Sequence, residues 1–401
     1  MNDLMNRLKR AVQVNAKTYT MIIALLLIWF LFGVLTGGIF FSPRNLSNLF
    51  RQMTIISFLA TGMVLVIVLG NIDLSVGSVT GFISAVTAFL QARVLANILP
   101  SLFPSLPQGT IGILSTAIAI AVALLVGIVI GLFQGSLIAY GGIPAFIVTL
   151  GGMLIFRGGV LGVTEGKTIV PVEDSLVYIA QGYLSPVVGL VLAAVVVVLI
   201  FLSTLTSRRK KVEYGFEVPP LWKDLAKAGF FSFLVILYVV LMNMYRGVQL
   251  PVLLLAVVAL IISYVANNTR FGRYVYAVGG NREATRLSGI NIRKTVFQVH
   301  VLMGLLAGVA GVVLTGYVAA GTVNGGINYE LDTIASCVIG GTSLMGGEGT
   351  IFGALVGSLI MASIVNGMSV MNMPIFWQYV TRGLVLIIAV YLDVASKRRR
   401  E

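Results

Sequence analysis

The side chains able to do polar chemistry inside this chain are few and widely spaced. Asp73, Arg157, Asp332 and Arg382 are ionisable groups set within apolar stretches. Such groups are costly in hydrocarbon and usually turn toward the interior of a helical bundle, where they pair or meet a polar solute. Asp73 lies between Asn71 and Ser75 at a break in the apolar pattern, so the three make a hydrogen-bonding cluster suited to a hydroxyl-rich ligand. Asp73 and Asp332 serve equally well as N-caps, satisfying only backbone donors at the starts of half-helices. Arg382 sits about 10 Å into the last apolar run by helical rise, which places an ion pair with Asp332 among the expectations; Arg157 has the alternative of snorkelling outward. Phe146 and Thr149, and Phe376 and Trp377, flank two matching steps, Ile143-Pro144 and Met373-Pro374. Aromatic rings suit the apolar faces of sugars, and at this density they suit ordinary packing as well.

Catalytic or metal-binding constellations do not emerge. His300 is the single histidine and reads as a helix-end or lipid-interface residue; Cys337 is the single cysteine, so no disulfide framework exists. The stretch GVTEGKT, residues 162–168, imitates a phosphate-binding loop. Its first glycine is one residue too close to the second, Leu161 holds the required position, and its flanks are an apolar run and a polar loop rather than a strand and a helix. The chain is therefore not expected to hydrolyse ATP itself.

The elements that must position these residues are membrane helices. Of 401 residues 58% are hydrophobic and 10% charged, with a mean hydropathy of +1.00, and a helix needs about 20 apolar residues to cross the hydrocarbon core. Apolar runs fall at 19–40, 51–70, 71–90, 111–139, 143–163, 185–203, 229–247, 249–267, 296–320, 329–346, 350–370 and 375–394. The fold class is all-α, a polytopic membrane protein of about 10–12 transmembrane helices. The runs 71–90 and 329–346 are short, partly polar and glycine-rich, which leaves ten full spans plus two broken or re-entrant segments as an alternative. The net charge of +13 suggests a positive-inside distribution rather than nucleic-acid binding. Basic clusters at Arg7, Lys9, Arg10 and Lys17, at 208–227, at 270–294 and at 397–400 all fall on one side when the spans alternate. The acidic loop 164–184 and the uncharged loop 100–109 fall on the other. The first run is too long for a signal peptide and reads as a retained span.

A weak internal repeat pairs 72–81 with 331–340, matching Asp73 with Asp332, Val79 with Val338 and Gly81 with Gly340; farther on, Gly127 precedes Pro144 by the interval that separates Gly357 from Pro374. Repeated halves with interrupted helices point to a transport path near the midplane. Small-xxx-small patterns at Gly127, Gly131 and Gly135, and at Gly353 and Gly357, predict close helix packing within one subunit.

One charged stretch, 279–295, interrupts the apolar runs. Asn281 fits an N-cap, Glu283 suits the first turn, and Gly289 can end a helix of about two turns in a left-handed conformation. Ala284 and Leu287 share one face, Arg282 and Arg286 another. A helix so short is marginal alone in water and needs something to pack against; the plain alternative is an interfacial loop whose arginines anchor the topology.

The stretch EATRLSG, 283–289, resembles the cytoplasmic E-A-A-x-x-x-G loop of ABC importer permeases, where a short coupling helix docks in a cleft of the ATP-binding subunit; Thr285 stands where that signature has alanine. GNIDLSVGS (70–78), GGIPAFIVTLGGM (141–153), FGRYVYAVGGN (271–281) and CVIGGTSLMGGEGT (337–350) resemble the permease family for monosaccharides that includes ribose, galactose and xylose permeases. Within it, an extra block at about 208–255 and the ending from 376 onward are most similar to D-xylose permeases. The resemblance implies one transmembrane permease domain at 19–395, with a cytoplasmic tail at 1–18, a basic cytoplasmic loop at 204–228, a coupling loop at 268–295 and a basic tail at 396–401. It implies a subunit that translocates a monosaccharide across the bacterial inner membrane with both termini cytoplasmic. It also implies the partners: a separate ABC ATPase that uses ATP and Mg²⁺, an external sugar-binding protein and a second permease copy, with lipid around them and no cofactor on this chain. The coupling helix would comprise Asn281, Arg282, Glu283, Ala284, Thr285, Arg286, Leu287 and Gly289. Asn71, Asp73, Ser75, Phe146, Thr149, Asp332, Phe376 and Arg382 are the candidates for the path. The competing expectations are a ribose, galactose or multiple-sugar permease, and an ion-coupled secondary transporter, which would leave the charged helix without a role.

Overall fold

Apolar runs punctuated by proline and glycine fold into helices throughout residues 16–398, the part described by the computed structural model. In chain order they are α1 (Ala16–Leu35), α2 (Pro43–Val68), α3 (Val76–Leu102), α4 (Gln108–Ala139), α5 (Ala145–Thr164), α6 (Asp174–Gln181), α7 (Pro186–Glu213) and α8 (Leu221–Asn243). There follow α9 (Leu250–Asn268), α10 (Arg270–Gly280), α11 (Arg282–Leu287), α12 (Ile292–Val318), α13 (Tyr329–Ile339), α14 (Ile351–Val370) and α15 (Ile375–Arg398). Among the described residues ten helices are long and apolar enough to cross a membrane, α1 adds an apolar stretch at Thr20–Leu35, and the only extended pairings are two isolated bridges. The protein is an all-α, multi-pass membrane protein. Arg7, Lys9 and Arg10, and the end of the basic tail at 399–401, lie outside the described residues.

Helix α2 is the hub. Ser42 caps it, Pro43 opens it and Gly70, at φ +84, follows its end. Its apolar residues are not confined to one stripe, and accordingly 83% of its most apolar window is buried. Helices α12 and α14 pack on it, α4 packs on α12, and α3 lies between α12 and α5.

Three sequence expectations need correction, and one pair of alternatives is decided. The run 71–90 is not a half-helix. Helix α3 continues past it through a π-helical turn at Leu90–Leu95 to Leu102, so Pro100 is helical rather than part of a loop. The apolar pattern stopped early because Gln91 is polar, yet it is buried and satisfied by Thr116 of α4, 3.0 Å away. The block 204–228 is mostly helical, with a connection of only 214–220, because α7 and α8 extend their charged ends beyond their apolar runs. His300 is neither at a helix end nor at an interface. It is buried within α12, with Nδ1 2.9 Å from the Val296 carbonyl and its side chain against Gly135. Finally, of the two suspected broken segments only 329–346 is broken: α13 spans eleven residues, preceded by non-helical backbone at 320–328.

That non-helical stretch runs antiparallel to α3. Gly321 touches Ala88 and Ala85, Gly325 approaches Gly81, and Gly326 approaches Gly77. Irregular backbone at membrane depth survives only where protein covers it, and here glycines on both partners permit the approach. The bridge between Ile169 and Gly321 places the start of this stretch beside the 165–172 loop. At the other end, Gly347 N donates to the Val68 carbonyl at 2.8 Å, and Gly279 packs against both residues. The bundle therefore has one end carrying α10, α11 and the 340–350 loop, and an opposite end carrying α6.

The repeat takes physical form in this frame. Pro144 directly precedes α5 and Pro374 directly precedes α15. Helix α4 runs toward the α11 end, however, and α14 away from it, so the matching segments have inverted orientation. The acids are not equivalent: Asp73 precedes its helix, whereas Asp332 lies in the first turn of α13.

The glycine patterns pack within the chain as expected. A Cβ on Gly127 would meet the Gly304 carbonyl, one on Gly304 would meet the Gly127 carbonyl, and Gly357 faces the Ser336 carbonyl. Backbone cannot step aside as a side-chain tip can. Gly304→Val should therefore force α4 and α12 apart at a cost near the upper end of the usual overpacking range, about 3 kcal/mol. A lowered thermal midpoint in detergent would register this, and an unchanged midpoint would contradict the packing.

Candidate functional site

Two places gather the singled-out residues. The first is the charged stretch at the α11 end. Thr269 caps α10, which ends at Gly280, and Asn281, directly after it, caps α11 by accepting from Ala284 N at 2.9 Å. Gly289 follows α11 at φ +78, and Gly289 N donates to the Arg286 carbonyl at 3.0 Å. Both terminal signals operate as the sequence predicts, and the helix is six residues long. Its inward side is a single residue. Ala284 and Leu287 are exposed, as are Arg282, Glu283 and Arg286, while Thr285 alone is buried, its one hydroxyl proton shared between the Ala277 carbonyl at 2.8 Å and the Asn281 carbonyl at 2.7 Å. The residue that departs from the alanine signature is thus the bolt holding α11 to α10. Glu283 and Arg286 form an ion pair within the helix, both about two-thirds exposed.

Helix α10 is fixed to the body in turn. Tyr276 Oη donates to the Gly349 carbonyl at 2.8 Å, and burial pushes the phenol above its usual pKa, which keeps the donor protonated. The loop holding Gly349 also contains Gly347, bonded to the end of α2, and it connects α13 to α14. A displacement of α11 thus has a continuous packed route to α13.

The second place is on α13. Arg382 NH1 donates to Asp332 Oδ2 at 3.1 Å, the pair that the sequence suggested. Of the two roles left open for Asp332, pairing rather than capping is observed; Asn328, in a left-handed conformation, stands at the N-cap instead. The pair separates two cavities of about 230 Å³ each. One lies among α2, α12, α13, α14 and α15 and is lined in part by Gln52, Tyr317, Tyr329 and Ser369. Asp332 Oδ1 and Arg382 Nε are buried without a hydrogen-bond partner. Acceptor and donor capacity left over beside a cavity with tyrosine hydroxyls can receive a hydroxylated solute. Gln52, Tyr317 and Tyr329 carried no signal beyond polarity within apolar runs, and only the convergence of three helices reveals them.

The remaining candidates separate. Asp73 acts as a local cap, accepting from Ser75 N at 2.8 Å and Ser75 Oγ at 2.7 Å, and Gln134 of α4, unsuspected from sequence, bonds Ser75 at 3.0 Å. Thr149 reaches the Ile72 carbonyl at 3.4 Å, so the break before α3 is a closed polar knot beside a void of about 10 Å³. Asn71 is half-buried at its edge. Arg157 does not snorkel outward: it donates to the Gly325 carbonyl at 3.2 Å, supporting the non-helical stretch. Glu330, buried with Oε2 unpartnered, lies against Gly77 between the knot and the ion pair. Phe146 and Phe376 are 51% and 59% exposed and begin helices at opposite ends of the bundle, so the structure does not bring them together.

Comparisons with known proteins agree in kind. Residues 45–390 match the family described as branched-chain amino acid transport system / permease component. The chain is 41% identical to the xylose transport system permease protein of Haemophilus influenzae, over 96% of this chain and 98% of that one. It is 40% identical to the xylose transport system permease protein of Escherichia coli K12, over 96% and 93% of the two chains. Identity to the ribose import permease protein of Escherichia coli K12 is 32%, over 93% and 92%. No solved structure matches the chain.

Proposed function

Because this chain belongs to that permease family, we propose that it is the transmembrane subunit of an ATP-driven importer that carries D-xylose across the bacterial inner membrane, with both termini in the cytoplasm. The geometric observation that carries the reading is α11, a capped helix bolted inward by Thr285 alone and presenting every other side chain outward. Such a helix is a docking element looking for a partner, and a separate ATPase that binds ATP and Mg²⁺ supplies one. An external sugar-binding protein would deliver the ligand, and a second copy of the chain would complete the path.

Closure of the ATPase on ATP would push α11 and α10. Through Tyr276 and the 340–350 loop the push would reach α13, where a small shift would alter the Asp332–Arg382 contact and the two cavities beside it. The pocket's mixture of an ion pair, amide and phenols suits a ring with several hydroxyls and one apolar face. Xylose is favoured over ribose by the higher identity to the xylose permeases and by the block at about 208–255, which forms the end of α7, its connection and all of α8 and resembles those permeases in particular.

The test is sugar-stimulated ATP hydrolysis by the reconstituted complex of this chain with its ATPase and binding protein in liposomes, comparing xylose, ribose and galactose. Stimulation by xylose above the other two is expected. Stimulation by ribose alone would move the substrate assignment while leaving the transport class intact. Uptake driven by an ion gradient without any ATPase would overturn the class.

A further inference from the structure

The hairpin of α7 and α8 stands apart from the machinery above. Tyr238 ties it to the body, packing edge-on against Phe50 at 5.0 Å and donating to Gln249 at 2.6 Å. Beyond that tie, the hairpin's two helices contact mainly each other. A shallow apolar groove of about 490 Å³, lined by Ile200, Phe231, Leu234, Val235 and Tyr238, shares Ser203 and Thr204 with a second cavity of about 260 Å³. The second cavity is lined by Ser207, Arg208, Lys211, Asp224 and Lys227.

We propose that this continuous groove holds one anionic glycerophospholipid, with its phosphate between Lys211 of α7 and Lys227 of α8 and an acyl chain in the apolar cleft. The order of chemistry along the groove is the order along such a lipid: apolar walls, then hydroxyls, then cations. Arg208 is already engaged, bonded to Asp224 at 2.6 Å and to the Pro219 carbonyl. That engagement fixes the connection between the helices and accounts for the one carboxylate in the cavity. Lys211 and Lys227 make no ion pair among the described residues. They converge from different helices, and together with Arg208 they leave the cavity net positive. Trp222, 65% exposed with Lys223 over its ring at 5.6 Å, lies two residues before Asp224 of the cavity and is the type of side chain enriched at membrane–water interfaces. A positive-inside bias explains why basic residues collect at this end. It does not explain why two of them line one cavity at the end of an apolar groove while Arg209 and Lys210, on the same helix, line neither.

Two surface lysines are together worth roughly a 30-fold change in affinity for an anionic headgroup. The protein would be purified in mild detergent, washed with phosphatidylcholine, and its retained phosphatidylglycerol or cardiolipin counted per chain by native mass spectrometry. About one anionic lipid should stay on the wild type and on the Arg209→Gln/Lys210→Gln variant, and be lost from Lys211→Gln/Lys227→Gln. Thr204→Trp, which fills the cleft without altering charge, should lose it too. Equal loss from both charge variants would mean a diffuse surface field, and retention by Thr204→Trp would mean an anion site without an acyl chain. Absence of any retained anionic lipid on a wild type of unchanged thermal midpoint would also overturn the proposal.

Discussion

Arg382→Ala should destabilise the protein by several kcal/mol, and adding Asp332→Asn should restore most of the loss. Removing one member of a buried ion pair leaves an uncompensated charge, which typically costs about 3–5 kcal/mol. The side chains of Arg382 and Asp332 retain 22% and 9% of their exposure, and cavities flank them, so the lower end of that range is expected. The double variant carries no orphan charge and so should melt close to wild type in detergent. Its transport should nevertheless remain impaired, because the unpartnered Asp332 Oδ1 and Arg382 Nε are the groups available to a solute. A single variant with wild-type melting and uptake would remove the pair from both stability and mechanism. A double variant with restored uptake would leave it a purely structural contact.

Leu287→Asp should have the opposite signature: unchanged thermal stability and a fall in uptake of tenfold or more. Leu287 is 77% exposed, so its replacement deletes no internal contact. Glu283→Ala should likewise spare the fold, since its ion pair with Arg286 is solvent-exposed and such pairs contribute about 0–1 kcal/mol. If α11 is the ATPase dock, a charge placed on its apolar point of contact costs at least the 1.4 kcal/mol that a tenfold weaker association represents. The readout is ATPase co-purification together with sugar-stimulated hydrolysis at matched membrane abundance. Full association and hydrolysis by Leu287→Asp would show that the partner does not sit there. Thr285→Val is the informative contrast, because it cuts the bolt to the Ala277 carbonyl while leaving the exposed face unchanged. It should preserve association and reduce the link between hydrolysis and uptake.

Local rules decided much of this protein before any packing was considered. Hydropathy alone gave an all-α membrane fold, because backbone polar groups in hydrocarbon have no water to satisfy them. Asn281 and Gly289 bounded α11, since N-cap and left-handed C-terminal preferences act within a few residues. Pro144 and Pro374 likewise marked the starts of α5 and α15. Even the Asp332–Arg382 pair was legible, as two opposite charges in apolar runs have few ways to be tolerated.

Tertiary structure decided the rest, wherever a polar group's partner comes from a distant part of the chain. Gln91 let α3 continue because Thr116 of α4 was waiting for it. Asp73 and Asp332, alike in sequence context, diverged because Gln134 of α4 closes a knot around one while Arg382 of α15 reaches the other. Thr285 looked like a neutral departure from a signature and became the anchor of the docking helix only when Ala277 was placed beneath it. The inverted course of the two halves, the pocket made by Gln52, Tyr317 and Tyr329, and the convergence of Lys211 and Lys227 share the same origin. Each depends on which helices cross and in which direction, and that is set by the packing of entire helices against α2 and against one another rather than by any short stretch of residues.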